Sequence, residues 1–404
     1  MFDFKSINIE EYDYSLPENK IAFYPVNERN YSKLLVYKDN TITDAHFYQI
    51  CDFLDENDLL IFNDSKVIHA RLLVQNDSMA DIEIFCLEPL FPTTELATAF
   101  QQTKKVTWKC LVGNAKRWKK PLTISVPIGE KIIEIRAEKG ENNNGTFPVT
   151  FEWPDEDITF AEWIDHYGKM PLPPYIKRSA EKEDENRYQT VYAKYDGSVA
   201  APTAGLHFTE KEFDNLKKKG IEIDYLTLHV GAGTFKPVSN RYIGNHFMHR
   251  EQIIIKPELL ENLLLKESKR VIAVGTTAAR TLESLFIMGA KLKLGLNDPF
   301  QIEQWEIYEN PELAEISTKE SLTTLLNYLK DNSLNYLSGS TSLIIVPGYR
   351  HKIMKGIITN FHQPKSTLLL LISSFVGNNW KEIYSHALNN GYRFLSYGDS
   401  NLYL

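Results

Sequence analysis

The chain has 404 residues, 43% of them hydrophobic and 12% aromatic, and carries a net charge of −8. That length suits two or three domains with an ample core; the balance excludes a disordered chain and speaks against indiscriminate nucleic-acid binding, which rewards a basic surface. Three widely spaced cysteines (Cys51, Cys86, Cys110) exclude a disulfide framework and suit a reducing cytoplasm, where we expect the protein to reside.

The first residues, "MFDFKSINIEEYDYSLPENK", lack a basic start followed by an apolar core, so no signal peptide is expected. "DLLIF" reads as a buried strand, and Asn63, Asp64 and Ser65 after it suit an Asx turn as well as a site. Arg71 sits in an otherwise apolar strand, where a guanidinium needs a carboxylate or a ligand anion. Residues 67–155 hold six short alternating runs, from "VIHARLLVQ" to "FPVTFEWP", the pattern of a small barrel or sandwich. From residue 156 strands alternate with helices, as in an α/β layer. Basic clusters stand at 115–120 ("AKRWKK"), 175–178 ("YIKR") and 216–220 ("LKKKG"); the first two are candidates for phosphate contacts.

The stretch "SVAAPTAGLHFT" (198–209) is small and has no formally charged side chain. Thr209 with Glu212 makes a capping box, and the helix it opens ends at Gly220. "AAPTAGLH" is therefore a loop entering a helix N-terminus, and its small residues let the backbone approach another group, either core or ligand. Three later units share one plan. "IEIDYLTLHV" is a strand that breaks at "GAGTF"; "RVIAV" is a buried strand followed by "GTT" and a helix; "GIIT" leads through "NFHQPKS" to a buried helix starting near Ser366. Ligands of open α/β sheets collect at such strand ends, where helix N-termini offer unpaired N–H groups. Lys365, just before a helix, is a cation the helix dipole disfavours, so it is either exposed or facing an anion. The apolar run "LLLLISSFV" is too short to span a bilayer.

The ten histidines show no HExxH pattern, and His246 with His249 alone does not make a metal site. Dinucleotide, P-loop and nucleophile-elbow fingerprints are missing. The stretches "NDSKVIHARL", "KMPLPPYIKR", "ENRYQTVYAKYDGSVAAPTAGLHFT", "TLHVGAGTFKPV", "HFMHRE", "AVGTTAARTLES", "PGYRHKIMKGIITNFHQPKSTLLLLISSF" and "GYRFLSYGDSNL" together resemble one family, S-adenosylmethionine:tRNA ribosyltransferase-isomerase.

The resemblance implies a mixed-sheet α/β domain (1–66 and 156–404) interrupted by an inserted small β-barrel domain (67–155). It implies transfer and isomerisation of the ribosyl part of S-adenosylmethionine onto a 7-aminomethyl-7-deazaguanine base of tRNA, giving epoxyqueuosine-tRNA, adenine and methionine. S-adenosylmethionine is a substrate there, with no metal or other cofactor, and the partner is tRNA; no membrane is involved and a monomer is expected. Such chemistry needs a base beside the sulfonium-activated ribose carbon, a proton donor for adenine and a holder for the methionine carboxylate. In the matching motifs, the candidates are His207 or His229 as base, His362 as acid, Asp64 orienting the amine or a ribose hydroxyl, and Arg71, Arg280 or Lys365 holding anions. Thr203, Gly205, Gly233, Thr234, Thr276, Thr277, Asn360 and Ser366 complete the expected substrate-binding set. The chain departs from the family at His69, at His351 and in a longer connection over 291–341. That connection contains a helix, "TKESLTTLLNYLK", with Thr318 and Ser321 as alternative caps, and reads as a surface decoration or as a lid or partner site. A divergent transferase with another acceptor and a catalytically silent RNA- or nucleotide-binding relative are the competing readings.

Overall fold

The computed structural model describes residues 3–231, 238–265 and 269–404. A hairpin of β1 (Lys33–Lys38) and β2 (Thr41–His46) precedes β3 (Asp58–Asn63) and the short β4 (Ser65–Val67). Next come β5 (Arg71–Gln75), β6 (Asp81–Phe91), β7 (Lys105–Gly113), β8 (Leu122–Ile128), β9 (Lys131–Lys139) and β10 (Phe147–Glu152). The remaining strands are β11 (Tyr195–Ser198), β12 (Glu222–His229), β13 (Glu251–Ile255), β14 (Arg270–Val274), β15 (Gln301–Ile302), β16 (Leu337–Thr341), β17 (Gly356–Asn360) and β18 (Ser400–Tyr403).

Ten strands form one mixed sheet in the order β15-β16-β13-β12-β3-β14-β17-β18-β1-β2. Its middle, β12-β3-β14-β17, is parallel, and antiparallel neighbours flank it on both sides. Parallel strands covered on both faces are buried along their whole length, as β3 and β17 are at every position. The second sheet, β5-β6-β7-β10-β9-β8, is antiparallel throughout and nearly closed on itself. In β8 Leu122, Ile124 and Val126 are buried while the residues between them are exposed, the two-residue period of a sheet with one wet face. The expected architecture, an α/β fold with a mixed sheet and a small barrel, is the one observed. The cluster inside the barrel takes in Phe160, Trp163 and Ile164 of the helix Phe160–Tyr167, so its packing runs past residue 155.

The 291–341 connection is not a surface decoration. Its strands β15 and β16 extend the large sheet, and Leu322, Leu325 and Leu329 of the helix Thr318–Asp331 are buried in the main core. The helix Thr276–Lys293 is buried from Thr276 through Lys291, and the added helix covers it. Gly289 permits that approach, since a Cβ there would lie 2.3 Å from the Ser321 backbone oxygen. Buried Lys291 closes the arrangement with an ion pair to Glu306 at 2.6 Å and hydrogen bonds to the carbonyls of Asp298 and Gln301. The cap of the added helix is neither Thr318 nor Ser321 but Ser317, which forms a capping box with Glu320.

Glu283, fully buried in the helix Thr276–Lys293, organises the segment that enters β17. Its carboxylate accepts from Tyr349 Oη and the Lys352 N–H at 2.8 Å and from the Ile353 and Met354 N–H groups at 3.0 Å. Removing it strands buried donors, each costly to leave unbonded. We therefore expect Glu283→Ala to lower the unfolding free energy in urea by roughly 3 kcal/mol or more, and Glu283→Gln to cost less. A loss below about 1 kcal/mol for Glu283→Ala would contradict this account.

Candidate active site

The parallel strands end at one rim, and the segments that leave it wall a single cavity. Residues 200–204 form one wall, Gly275, Thr276 and Thr277 another, and residues 359–363 with Ser366, Thr367 and Leu368 a third; Tyr175, Val230, Leu395 and Ser396 complete it. Among these lining residues there is no Asp, Glu, Lys or Arg. The polar groups are hydroxyls, amides and one imidazole, His362.

Asn360, at the end of β17 and buried, is held from both sides. Thr203 Oγ1 donates to its Oδ1 at 3.0 Å, and its Nδ2 donates to His207 Nε2 at 3.1 Å. An amide nitrogen only donates, so the His207 proton sits on Nδ1 and is given to Ser32 Oγ at 2.7 Å. His207 thus stands behind Asn360 with both nitrogens engaged. Burial, with Arg393 nearby, depresses its pKa to about 3, and it is neutral. Asn63, at the end of β3, is likewise spent internally, on the Leu228 backbone, the Ser65 N–H and Thr277 Oγ1.

His362 lines the cavity. Its Nε2 lies 3.0 Å from Thr359 Oγ1, its N–H donates to Tyr384 Oη at 3.1 Å, and its carbonyl accepts from Tyr14 Oη. Burial lowers its pKa to about 3 as well. His229 does not face this cavity. It opens on a neighbouring recess lined also by Leu87, Glu88, Glu251 and Gln252, and Val230 belongs to the walls of both. Its Nδ1 is buried without a hydrogen-bond partner among the described residues, and burial lowers its pKa to about 4.

The other predicted residues divide. Thr203, Thr276, Thr277, Asn360 and Ser366 all line the cavity. Gly205 does not: a Cβ there would sit 1.8 Å from Tyr192 Oη, so at this position the tight loop meets core. Asp64 accepts from Thr227 Oγ1 at 2.6 Å away from the cavity, and burial raises its pKa. Arg71 finds its carboxylate within the barrel sheet, Glu83 at 2.5 Å. Arg280 pairs with Glu251 at 2.5 Å and donates to the Leu343 carbonyl at 3.0 Å. Lys365 is bound to Glu10 at 2.6 Å and Asp13 at 3.1 Å. None of the three cations lines the cavity, because each already has an anionic partner. Gly233 and Thr234 lie outside the described residues. Of the basic clusters, "YIKR" is occupied: Arg178 makes a two-pronged pair with Asp184 and Lys177 meets Glu18. Lys116, Arg117, Lys119 and Lys120 are exposed.

A family model described as "Queuosine biosynthesis protein" matches residues 9–403. The chain belongs to that family. It is 37% identical over 398 residues to an S-adenosylmethionine:tRNA ribosyltransferase-isomerase of Aromatoleum aromaticum (98% of this chain, 97% of the relative). It is 35% identical over 401 residues to one of Trichlorobacter lovleyi (98% and 99%). A crystal structure of an S-adenosylmethionine tRNA ribosyltransferase from Thermotoga maritima is similar at 27% identity and a TM-score of 0.46, covering 98% of this chain and 100% of that one. The chain is accordingly an enzyme of the transferase-isomerase family of queuosine biosynthesis. No described helix is long and apolar enough to cross a membrane.

Sequence reasoning passed over Tyr175, Thr359, Gln363, Thr367 and Ser396, all in the cavity wall. Four of them lie in stretches singled out for neighbours with charge or an imidazole, and Ser396 lies in the C-terminal "GYRFLSYGDSNL". The family's departures, His69 and His351, have local partners, Asp165 and Ser374.

Two neutral buried imidazoles have a consequence for stability. The unfolded chain takes up protons at His207 and His362 below its ordinary pKa of 6.5, whereas the folded chain holds them off to about 3. The unfolded state therefore binds more protons between pH 6.5 and 3, and stability falls as pH drops through that window. We expect His362→Gln to make the decline in urea-unfolding free energy shallower by up to about 1.4 kcal/mol per pH unit between pH 6 and 4. An unchanged slope would contradict the burial of a neutral imidazole.

Proposed function

We propose that the cavity holds S-adenosylmethionine and that the adjoining recess receives the 7-aminomethyl-7-deazaguanine base of tRNA, which leaves as epoxyqueuosine-tRNA with release of adenine and methionine. One observation carries this reading: an uncharged, hydroxyl-rich cavity and a recess holding a neutral histidine share Val230 as a common wall. The names of relatives at 35–37% identity support the two substrates.

A sulfonium is itself a cation, so described cavity walls free of Lys and Arg side chains avoid repelling it, and walls free of Asp and Glu avoid a competing nucleophile. Its charge acidifies the neighbouring ribose carbon, from which a base takes a proton. The electron pair left there opens the sugar ring at the adjoining carbon, to which the amine bonds as it gives up a proton. Adenine leaves with a proton, and the deprotonated carbon closes onto the carbon adenine left. The freed ring oxygen displaces sulfur to form the epoxide, sulfur keeping the electron pair of its C–S bond as methionine departs. His362 is the imidazole placed to serve the nucleoside. With a pKa near 3 it acts as a neutral N–H donor to departing adenine, not as an imidazolium. His229, neutral and lining the recess, suits the incoming amine, which attacks only when unprotonated. His207 becomes a positioning residue that sets Asn360. The reading requires no metal or redox cofactor, S-adenosylmethionine being consumed as a substrate.

Incubation with S-adenosylmethionine and tRNA bearing the aminomethyl-deazaguanine base tests this directly. We expect stoichiometric adenine release with a matching mass gain on the tRNA. Adenine released without a change in tRNA mass would replace this reading with a transferase acting on another acceptor.

A further inference from the structure

The family's reaction calls for a group that holds the methionine carboxylate, and among the described residues no cation lines the cavity. Two helices begin there instead. The helix Thr276–Lys293 has Gly275 as its N-cap, so no side chain bonds its first N–H groups; the Gly275 N–H goes to the Ile358 carbonyl and the Ala279 N–H to the Gly275 carbonyl. The N–H groups of Thr276, Thr277 and Ala278 are the ones such a start leaves without a helical partner. The helix Thr367–Val376 is capped by Ser366, whose side chain bonds the Leu369 N–H, leaving those of Thr367 and Leu368. Both starts lie in the cavity wall.

A second observation points to a ligand. Thr276 is 8% exposed, lines the cavity, and its hydroxyl has no hydrogen-bond partner among the described residues. The hydroxyl of Thr277, an equally buried residue, has among the described residues only the long 3.4 Å contact from Asn63. An unbonded hydroxyl of a mostly buried residue in the cavity wall, beside N–H groups without a helical partner, is complementary to an acceptor with several lone pairs. Two positive helix ends in one cavity wall add the matching sign.

We propose that the α-carboxylate of S-adenosylmethionine is held between these two helix starts, by the backbone N–H groups at Thr276–Thr277 and Thr367–Leu368 and by the Thr276 hydroxyl. This rests on the reading of the cavity as the nucleoside site. The sulfonium then lies away from the helix starts, toward Asn360 and His362, since the dipoles that attract the carboxylate repel it.

The test compares S-adenosylmethionine with its decarboxylated analogue by calorimetric titration of the full chain, with tRNA binding measured alongside. Wild type should bind the analogue at least about tenfold more weakly. Thr276→Val should weaken S-adenosylmethionine by about three- to tenfold and leave the analogue unmoved, because the lost contact involves only the carboxylate. Equal affinity of wild type for the two ligands overturns the proposal while leaving the nucleoside site standing. A variant that weakens tRNA but neither small ligand assigns the helix starts to an RNA phosphate and overturns it too. If wild type binds neither small ligand, the reading of the cavity fails and the proposal with it. The wild-type comparison does not depend on any variant folding.

Discussion

Parallel strands that end inside a protein leave polar backbone at their tips, and burying it without partners costs free energy. In this chain the Asn63 amide meets that demand, and a second asparagine, Asn360, joins the rim to the neighbouring loop through side chains. Asn63 closes the tips of β3 and β12, and Asn360 ties the tip of β17 to Thr203 and His207 on the incoming loop. Amides do this without charge, so these bonds add none to the rim. The geometry of the cavity follows: the loop over 200–204 lies where the Asn360 bonds draw it, and Tyr192 packed on Gly205 keeps it close.

The large scaffold is spent on holding this rim. Glu283 anchors the approach to β17, the helix Thr318–Asp331 covers the helix that starts at Thr276, and Tyr14 and Tyr384 grip the backbone of His362. Charged groups are consumed in that scaffold: Arg280 by Glu251, Lys365 by Glu10 and Asp13, Arg178 by Asp184. What remains among the described residues of the cavity wall is a set of dipoles. Preorganised dipoles suit a substrate whose charge changes sign along its length, a carboxylate at one end and a sulfonium further in, because they need not reorganise as charge moves.

Much of this was legible in the residues. Two-residue alternation announced the barrel strands, unbroken apolar runs announced β3, β14 and β17, and the Thr209–Glu212 spacing announced a helix that the structure starts at Glu210. The motifs located the strand ends, and Asn360, Thr203, Thr276, Thr277, Ser366 and His362 do meet there. Three things were not legible. Local sequence does not reveal a distant carboxylate, so Arg280 and Lys365 looked free for a ligand. Nor does it tell which side of a strand tip a side chain takes, which is why His229 and His207 looked like members of the same pocket as His362. An apolar stripe on a helix also fits a lid or a core; only the close approach at Gly289 decides that the 291–341 segment is core.

The central claim is that the neutral rim of the parallel strands is where a sulfonium nucleoside is gripped. A crystal structure of the enzyme with S-adenosylmethionine bound tests it most directly. The account predicts the adenosyl group within hydrogen-bonding reach of Asn360 and His362. Density for the nucleoside on the outer surface of the barrel, or in the recess beside His229 with the cavity left to water, would contradict it.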